Sequence, residues 1–324
     1  MNTPEFHSCL AKEFGRFVEL RRLTGSDYHS PARMLKYFDR FLQHQGVTEP
    51  RLTRETIDAY RQTLGHLCAG TQGNRLNVVR QFCQYLSRSD PQGYVPERRR
   101  GPRPEDAHRP HIYSPPEVQK LLAAAARLSS PKSLRPHTYR TLLGLLSSTG
   151  LRTGEAFALN LEDFRRKEQN LYVAEGKFHK ARWVPLSGSA NDALAQYVER
   201  RCRISPCAPD SPLLLNERGR RLCGPTVRAV FGQLLSQCGI PHHRDTGPRL
   251  HDLRHTFAVY RLLAWYRDGQ DVNARLPWLA TYLGHVDIRS TQVYLHATAE
   301  LLEQVDQRFH RHYLEHIQSP GEPA

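Results

Sequence analysis

Apolar residues recur along this chain mostly at helical spacing, with one short stretch that alternates. Phe6, Leu10, Phe14, Phe17, Val18 and Leu20 mark a first amphipathic segment, broken at Gly25-Ser26-Asp27. Met34, Leu35, Phe38, Phe41 and Leu42 mark a second, stopped by Gly46. Thr53 stands as the cap of a third, with Ile57, Tyr60 and Leu64 on one face. Gly70-Thr71-Gln72-Gly73 reads as a further break, before a fourth segment with Leu76, Val79, Phe82, Cys83 and Leu86. Residues 1–90 therefore read as a small all-α domain of four helices. From 91 to 112, Pro91, Gly93, Pro96, Gly101, Pro102, Pro104 and Pro110 can sustain neither helix nor sheet, so the stretch reads as a linker.

Residues 113–324 read as a second domain. Ser114-Pro115-Pro116-Glu117 is a helix start, with Ser at the cap, Pro in the first turn and Glu at the third position. Leu142, Leu143, Leu145 and Leu146 belong to another helix that ends at Thr149-Gly150 and leaves Arg152 at the junction with the next. Between Asn170 and Leu186 the period changes to two, with Leu171 and Val173 going out and Trp183, Val184 and Leu186 returning, which predicts a β-hairpin. More helix follows over 191–240 and again after Leu250. Leu301, Leu302, Val305, Phe309 and Leu314 give a terminal amphipathic helix. The expected class is mainly α with a small β-hairpin or sheet.

Composition adds a partner. The 324 residues carry a formal net charge of +14 and a pI near 9.7, which favours a polyanion such as nucleic acid. The N-terminal domain contributes many of these cations, Arg33, Arg40 and Arg54 among them, and the linker adds Arg98, Arg99, Arg100 and Arg103. The linker set reads as a basic strap along a phosphate backbone. Seven scattered cysteines without a C-x-x-C pair point to a reducing compartment rather than a disulfide framework. Cys202, Cys207, Cys223 and Cys238 lie near His242 and His243, but their spacing matches no zinc pattern, so no metal is expected. No apolar run is long enough to span a bilayer and no secretory leader is visible, so the reading is a cytoplasmic, nucleoid-associated protein without membrane contact.

The chemistry concentrates in two stretches. His251 and Arg254 stand three apart in an apolar-periodic segment, a spacing that shares a helix face. Leu283-Gly284-His285 is followed nine residues later by Tyr294. A guanidinium grips phosphate oxygens, an imidazole relays protons, and a phenol can attack phosphorus. Upstream lies Thr149-Gly150-Leu151-Arg152-Thr153-Gly154-Glu155. In this order and at these distances, T-G-L-R-x-x-E, H-x-L-R-H, and L-G-H with its distant Tyr resemble the tyrosine recombinase (phage integrase) family. The run L-P-W-L-A-T-Y-L-G-H resembles its transposon-borne branch.

That resemblance implies a two-domain clamp, in which residues 1–90 are a core-binding (SAM-like) domain and 113–324 a catalytic domain. It implies no additional arm-binding domain ahead of residue 1. It assigns Tyr294 as nucleophile, Arg152 and Arg254 to the non-bridging oxygens, His251 as base and His285 beside the phosphate, with Glu155 supporting Arg152. The family's lysine falls in the hairpin run Gly176-Lys177-Phe178-His179-Lys180, where position favours Lys177 and leaves Lys180 as the alternative. Implied partners are double-stranded DNA and further copies of the chain, in a tetramer joined in trans by the terminal helix, with or without sister recombinases. No cofactor is implied, and no G-x-x-x-x-G-K-[ST] run is present. The rival readings are a type IB topoisomerase, a DNA-binding regulator without catalysis, and a metallohydrolase built on His251 and His255. The last lacks the glutamate of H-E-x-x-H.

Overall fold

A computed structural model of the protein describes residues 4–25, 28–97, 110–130, 134–174, 181–242, 247–285, 287–292 and 294. The chain divides into two compact units, Met1–Ala107 and His108–Ala324.

The first unit holds α1 (Ala11–Leu23), α2 (His29–His44), α3 (Arg54–Thr63) and α4 (Ala69–Leu86). Their apolar stripes meet in an aromatic core. Phe14 and Phe82 stack at 4.1 Å, and Phe38 lies 4.8 Å from Tyr60. Phe14, Phe17, Phe38 and Phe82 are buried, each contributing about 2–3 kcal/mol of transfer free energy. Buried Asp39 on α2 accepts the backbone N–H of His7 at 3.0 Å and of Ser8 at 2.9 Å, which ties the leading segment to the bundle. Thr53 caps α3 by accepting the Thr56 N–H. Gly70 to Gly73 are not a break but lie inside the first turns of α4. Each interior glycine costs a helix about 1 kcal/mol. Buried Val78, Val79 and Phe82 further along the same helix offset that cost.

The second unit begins with α5 (Pro115–Ala126), α6 (Arg135–Thr149) and α7 (Thr153–Ala158), then one 3-10 turn over Leu161–Asp163. β1 (Phe164–Arg165), β2 (Asn170–Val173) and β3 (Arg182–Pro185) follow. After them come α8 (Gly188–Cys202), α9 (Gly224–Gln237), α10 (Asp252–Arg267), α11 (Val272–Leu283) and α12 (Arg289–Gln292). The capping box at Ser114 forms, with the Glu117 carboxylate accepting the Ser114 N–H at 2.7 Å. The sheet is antiparallel in the order β1-β2-β3, so a short strand absent from the sequence reading precedes the hairpin. Leu171 pairs with Val184, and both face a large core that Leu142, Leu146, Leu214 and Leu234 also enter.

A separate cluster joins α10 to α11 through Val259, Leu262, Leu263, Leu276, Leu279 and Leu283, and Tyr294 is part of it. α11 carries Pro277 in its interior. Proline ordinarily breaks a helix, at a cost of about 3 kcal/mol. Here the buried leucines on either side keep the segment helical. Tyr113 and Thr256 fasten the start of this unit to α10, the Tyr113 N–H donating to Thr256 Oγ1 at 3.0 Å.

Cysteine behaviour departs from expectation at one point. Cys202 and Cys207 are joined as a disulfide, with Cα atoms 5.2 Å apart. The loop after α8 folds back because buried Arg201 donates to the Pro206 carbonyl at 2.6 Å and to the Pro212 carbonyl at 2.9 Å. No described helix is long and apolar enough to cross a membrane.

Candidate active site

Two helix ends build the floor of the site. α6 closes on Gly150 (φ 62°) and α11 closes on Gly284 (φ 67°), both left-handed. Gly150 has no room for a side chain and Gly284 has very little. A Cβ on Gly150 would lie 2.5 Å from the Phe257 ring, and one on Gly284 would lie 3.0 Å from the Arg182 guanidinium. Bare backbone at both ends lets free carbonyls reach the same space. Arg254, in the first turn of α10, donates to the Gly150 carbonyl at 2.7 Å and the Leu283 carbonyl at 2.6 Å. Arg152, at the N-cap of α7, donates to the Gly284 carbonyl at 2.7 Å. Helix C-termini carry partial negative charge, so they hold guanidinium groups that would otherwise repel one another.

Glu155 sets a full negative charge against this pair. It is 5% exposed. Its carboxylate accepts the Arg152 N–H at 3.0 Å and the Arg152 guanidinium at 2.7 Å. Arg182, the first residue of β3, adds a two-pronged contact at 3.0 and 2.8 Å. Burial alone would raise the Glu155 carboxyl, but the bonds and charges of Arg182 and Arg152 together outweigh it and hold the group below the usual carboxylate range. Arg254 is 2% exposed, and burial, followed by the charge of Arg152, pulls it down to about 10. It stays protonated at neutral pH.

The histidines and the phenol gather above this floor. His251 immediately precedes α10 and opens to solvent, while its ring meets that of His255 edge-on at 5.3 Å. His255 in turn lies 5.3 Å from Tyr294, and His285 stacks on Tyr294 at 6.1 Å. His285 Nδ1 shares a 2.8 Å hydrogen bond with the hydroxyl of buried Thr291, which fixes the ring plane. Burial, then the charges of Arg254, Arg152 and Arg182, push His285 down to about 4. His251 is lowered too, by desolvation from the protein around it and then by Arg254, despite its open edge. Burial and the neighbouring guanidiniums thus disfavour the protonated form of both imidazoles. Tyr294 is 4% exposed; burial raises its phenol while the charge of Arg254 pulls the other way.

The structure thus brings Arg152, Glu155, His251, Arg254, His285 and Tyr294 into one neighbourhood, linked by hydrogen bonds, ring contacts and mutual electrostatics. Sequence reasoning missed two supporting groups, Arg182 and Thr291, and considered His255 only as half of a metal pair. Arg182 left only a faint trace, a cation at the start of a strand whose alternation aims it inward. The lysine candidates Lys177 and Lys180 lie outside the described residues, as do Arg98, Arg99, Arg100, Arg103 and the segment from Leu301 onward. Among the described residues no cluster of His, Cys, Asp and Glu could hold a metal ion. His243 is outside them.

A site that gathers two docked guanidiniums, imidazoles and a buried phenol suits an anionic phosphodiester attacked by tyrosine. The known proteins point the same way. A match to the phage integrase family spans residues 113–300. The putative integrase/recombinase y4rB of Sinorhizobium fredii is 36% identical over 303 residues, covering 92% of this chain and 96% of the relative. Tyrosine recombinase XerD of Caulobacter vibrioides is 33% identical over 276 residues, covering 83% of this chain and 85% of the relative. Among solved structures, the Tn1549 transposon integrase in complex with transposon right end DNA superposes with a TM-score of 0.66 at 16% identity, over 93% of this chain and 98% of that one. At that identity the likeness speaks for the fold.

Proposed function

This chain belongs to the phage integrase family, and on that premise we propose that it is a site-specific tyrosine recombinase cutting and rejoining DNA of a mobile element. The observation that carries the reading is the placement of Tyr294 against two imidazoles, above the docked arginines. The Tyr294 oxygen attacks a backbone phosphorus. The bond from phosphorus to the 5′-oxygen breaks, and the departing strand leaves as a 5′-hydroxyl. The protein is then joined to the 3′-phosphate. A 5′-hydroxyl from the second duplex attacks in turn and releases the tyrosine. Bond energy is conserved in the phosphotyrosyl link, so no nucleotide is consumed.

Each residue has a task within this sequence. Arg152 and Arg254 hold the non-bridging oxygens, where one such donor is worth roughly 3 kcal/mol. The raised Tyr294 phenol needs help to lose its proton, and His251 is the base beside the site. Neutral His285 gives the phosphate a hydrogen-bonding partner on the face of the tyrosine ring. Lys177, or Lys180 in its place, protonates the leaving 5′-oxygen. The α1–α4 unit serves as the core-binding half of a clamp on duplex DNA, the linker arginines cross the backbone, and the segment after Leu301 docks on a neighbouring protomer within a tetramer. Net charge and the family's architecture support these assignments.

The test is capture of the covalent intermediate. The protein is incubated in EDTA with sheared DNA of its source organism, denatured, and the retained DNA is sequenced. A discrete site should be recovered, and Tyr294→Phe should recover none while still binding that site. An adduct that persists in Tyr294→Phe would end the assignment.

A further inference from the structure

We propose that Arg182 is a positioning residue of the active site: it fixes Glu155 and the end of α11 so that Arg152 is held at one aim. The inference rests on the recombinase reading above, and it concerns a residue that the proposed chemistry leaves without a task.

Arg182 spends its donors entirely inside the protein. Its Nε donates to the Tyr282 carbonyl at 2.8 Å, in the last turn of α11. Its two terminal nitrogens donate to the two oxygens of Glu155 at 3.0 and 2.8 Å. Three elements are thereby pinned to one plane: β3, α7 and α11. The Arg182 side chain is 11% exposed and that of Glu155 4%. An arginine turned inward on a strand is costly unless its charge is met. Trp183, its neighbour, faces out at 52% exposure, and Val184 is fully buried, so strand alternation places Arg182 on the core side.

The Glu155 end explains what this achieves. A carboxylate offers about four acceptor directions. Glu155 fills four: one oxygen takes Arg152 Nη1 and Arg182 Nη1, and the other takes the Arg152 backbone N–H and Arg182 Nη2. Without Arg182, half of those bonds are lost and the carboxylate can turn away from the Arg152 guanidinium. The far side of Arg152 rests on the Gly284 carbonyl, whose backbone passes so close to Arg182 that a Cβ there would lie 3.0 Å from it. Arg182 thus borders both anchors of Arg152. A lysine keeps the charge but lacks the planar fork, so it cannot hold a carboxylate by two edges and a helix carbonyl together.

The groups facing Glu155 are Arg152 and Arg182 in contact, with Arg254 and His251 acting through their fields. Among these, Arg182 is the principal opponent of burial. Its removal should raise the Glu155 carboxyl and give cleavage a new dependence on acid. Simple damage to the fold does not predict this.

The experiment measures single-turnover cleavage of a nicked duplex carrying the captured site, at saturating DNA, from pH 5 to 8. Arg182→Met should cleave at least about tenfold more slowly at pH 7, with half-site affinity within about threefold of wild type. Its acid limb should move to higher pH. Glu155→Gln should be slow without that limb, and Arg182→Met added to Glu155→Gln should cause little further loss. Should Arg182→Met fail to fold, Arg182→Gln, which also removes the charge, carries the same measurements. Wild-type cleavage in the Arg182 variants, or a slow rate with an unmoved limb, overturns the inference. Absence of any adduct from the wild-type protein would instead refute the recombinase reading itself.

Discussion

Exposed arginines of the first unit and the docked arginines of the second present their charge in opposite ways. In the α1–α4 unit, Arg16, Arg33, Arg40, Arg54 and Arg88 stand in solvent. The ion pairs there lie on the surface, as Arg51 with Asp90 at 2.8 Å and Arg61 with Asp58 at 2.9 Å. Such pairs contribute little to stability, typically under about 1 kcal/mol. In the second unit, Arg152, Arg182 and Arg254 are drawn inward and docked on backbone carbonyls and one carboxylate. An exposed arginine offers charge without a fixed place. A docked one offers charge at a fixed point, and stabilising a transition state requires such placement. Burial alone does not confer the role. Arg201 is as buried as Arg254, yet its donors hold only the loop after α8.

The contrast can be broken most sharply at Arg254. Arg254→Lys keeps a charge but cannot span the Gly150 and Leu283 carbonyls together. Cleavage should fall by roughly a hundredfold or more, in line with the loss of one charge-stabilising donor. Cleavage within about threefold of wild type would show that docking is irrelevant to the chemistry.

The glycines give the next largest effect, this time on stability. Gly150→Ala forces a side chain into positive φ and into the Phe257 ring. The expected loss is about 2–4 kcal/mol in urea unfolding, strain and overpacking together. Gly25 in the first unit also has positive φ, but nothing lies within 4 Å of its Cβ position. Gly25→Ala should therefore cost only about 1 kcal/mol, from backbone strain. Equal losses at the two sites would erase the distinction between a packed helix end and an open one.

A smaller effect concerns pH. His285 binds its proton less tightly in the fold, at about 4, than in the unfolded chain, where an imidazole titrates near 6.5. The unfolded chain takes up that proton first, so stability should fall as pH drops from about 7 toward 4. Melting temperature should therefore decline between pH 7.5 and 5, and decline less in His285→Gln. His251 shifts in the same direction, so the double variant should flatten the slope further. A slope unchanged by both substitutions would place the sensitivity elsewhere.

The mildest expectation belongs to the exposed cations. Arg33→Ala with Arg40→Ala should weaken DNA binding several-fold at low salt. The salt dependence of log K should become shallower by up to about 0.9 for each phosphate contact removed. If this pair instead abolished cleavage at saturating DNA, exposed cations of the first unit would share the task assigned to the docked arginines of the second.

The linear pattern showed most of this molecule. Helical periodicity marked α1 to α6 and α8 to α10, and alternation marked β2 and β3, because both periods follow from backbone geometry. The candidate site residues Arg152, Glu155, His251, Arg254, His285 and Tyr294 came from motif order, which survives without knowledge of the fold. The pattern misled where neighbours far along the chain decide the outcome. Gly70 and Gly73 look like breakers, yet both sit inside a helix whose apolar face is buried. β1 is too short for periodicity to register, and the Cys202–Cys207 bridge depends on how a loop folds back.

By itself, then, the sequence determined most of the elements, the basic character and a set of candidate residues for phosphoryl chemistry. Only the tertiary structure decided how they are aimed. Gly150 and Gly284 are 134 residues apart in the chain, by subtraction of their positions, yet their helix ends converge beneath one site. Arg182 becomes part of that site only when β3 lies against α7 and α11. Local propensity is written residue by residue, whereas the position of a charge depends on carbonyls and carboxylates brought from distant parts of the chain.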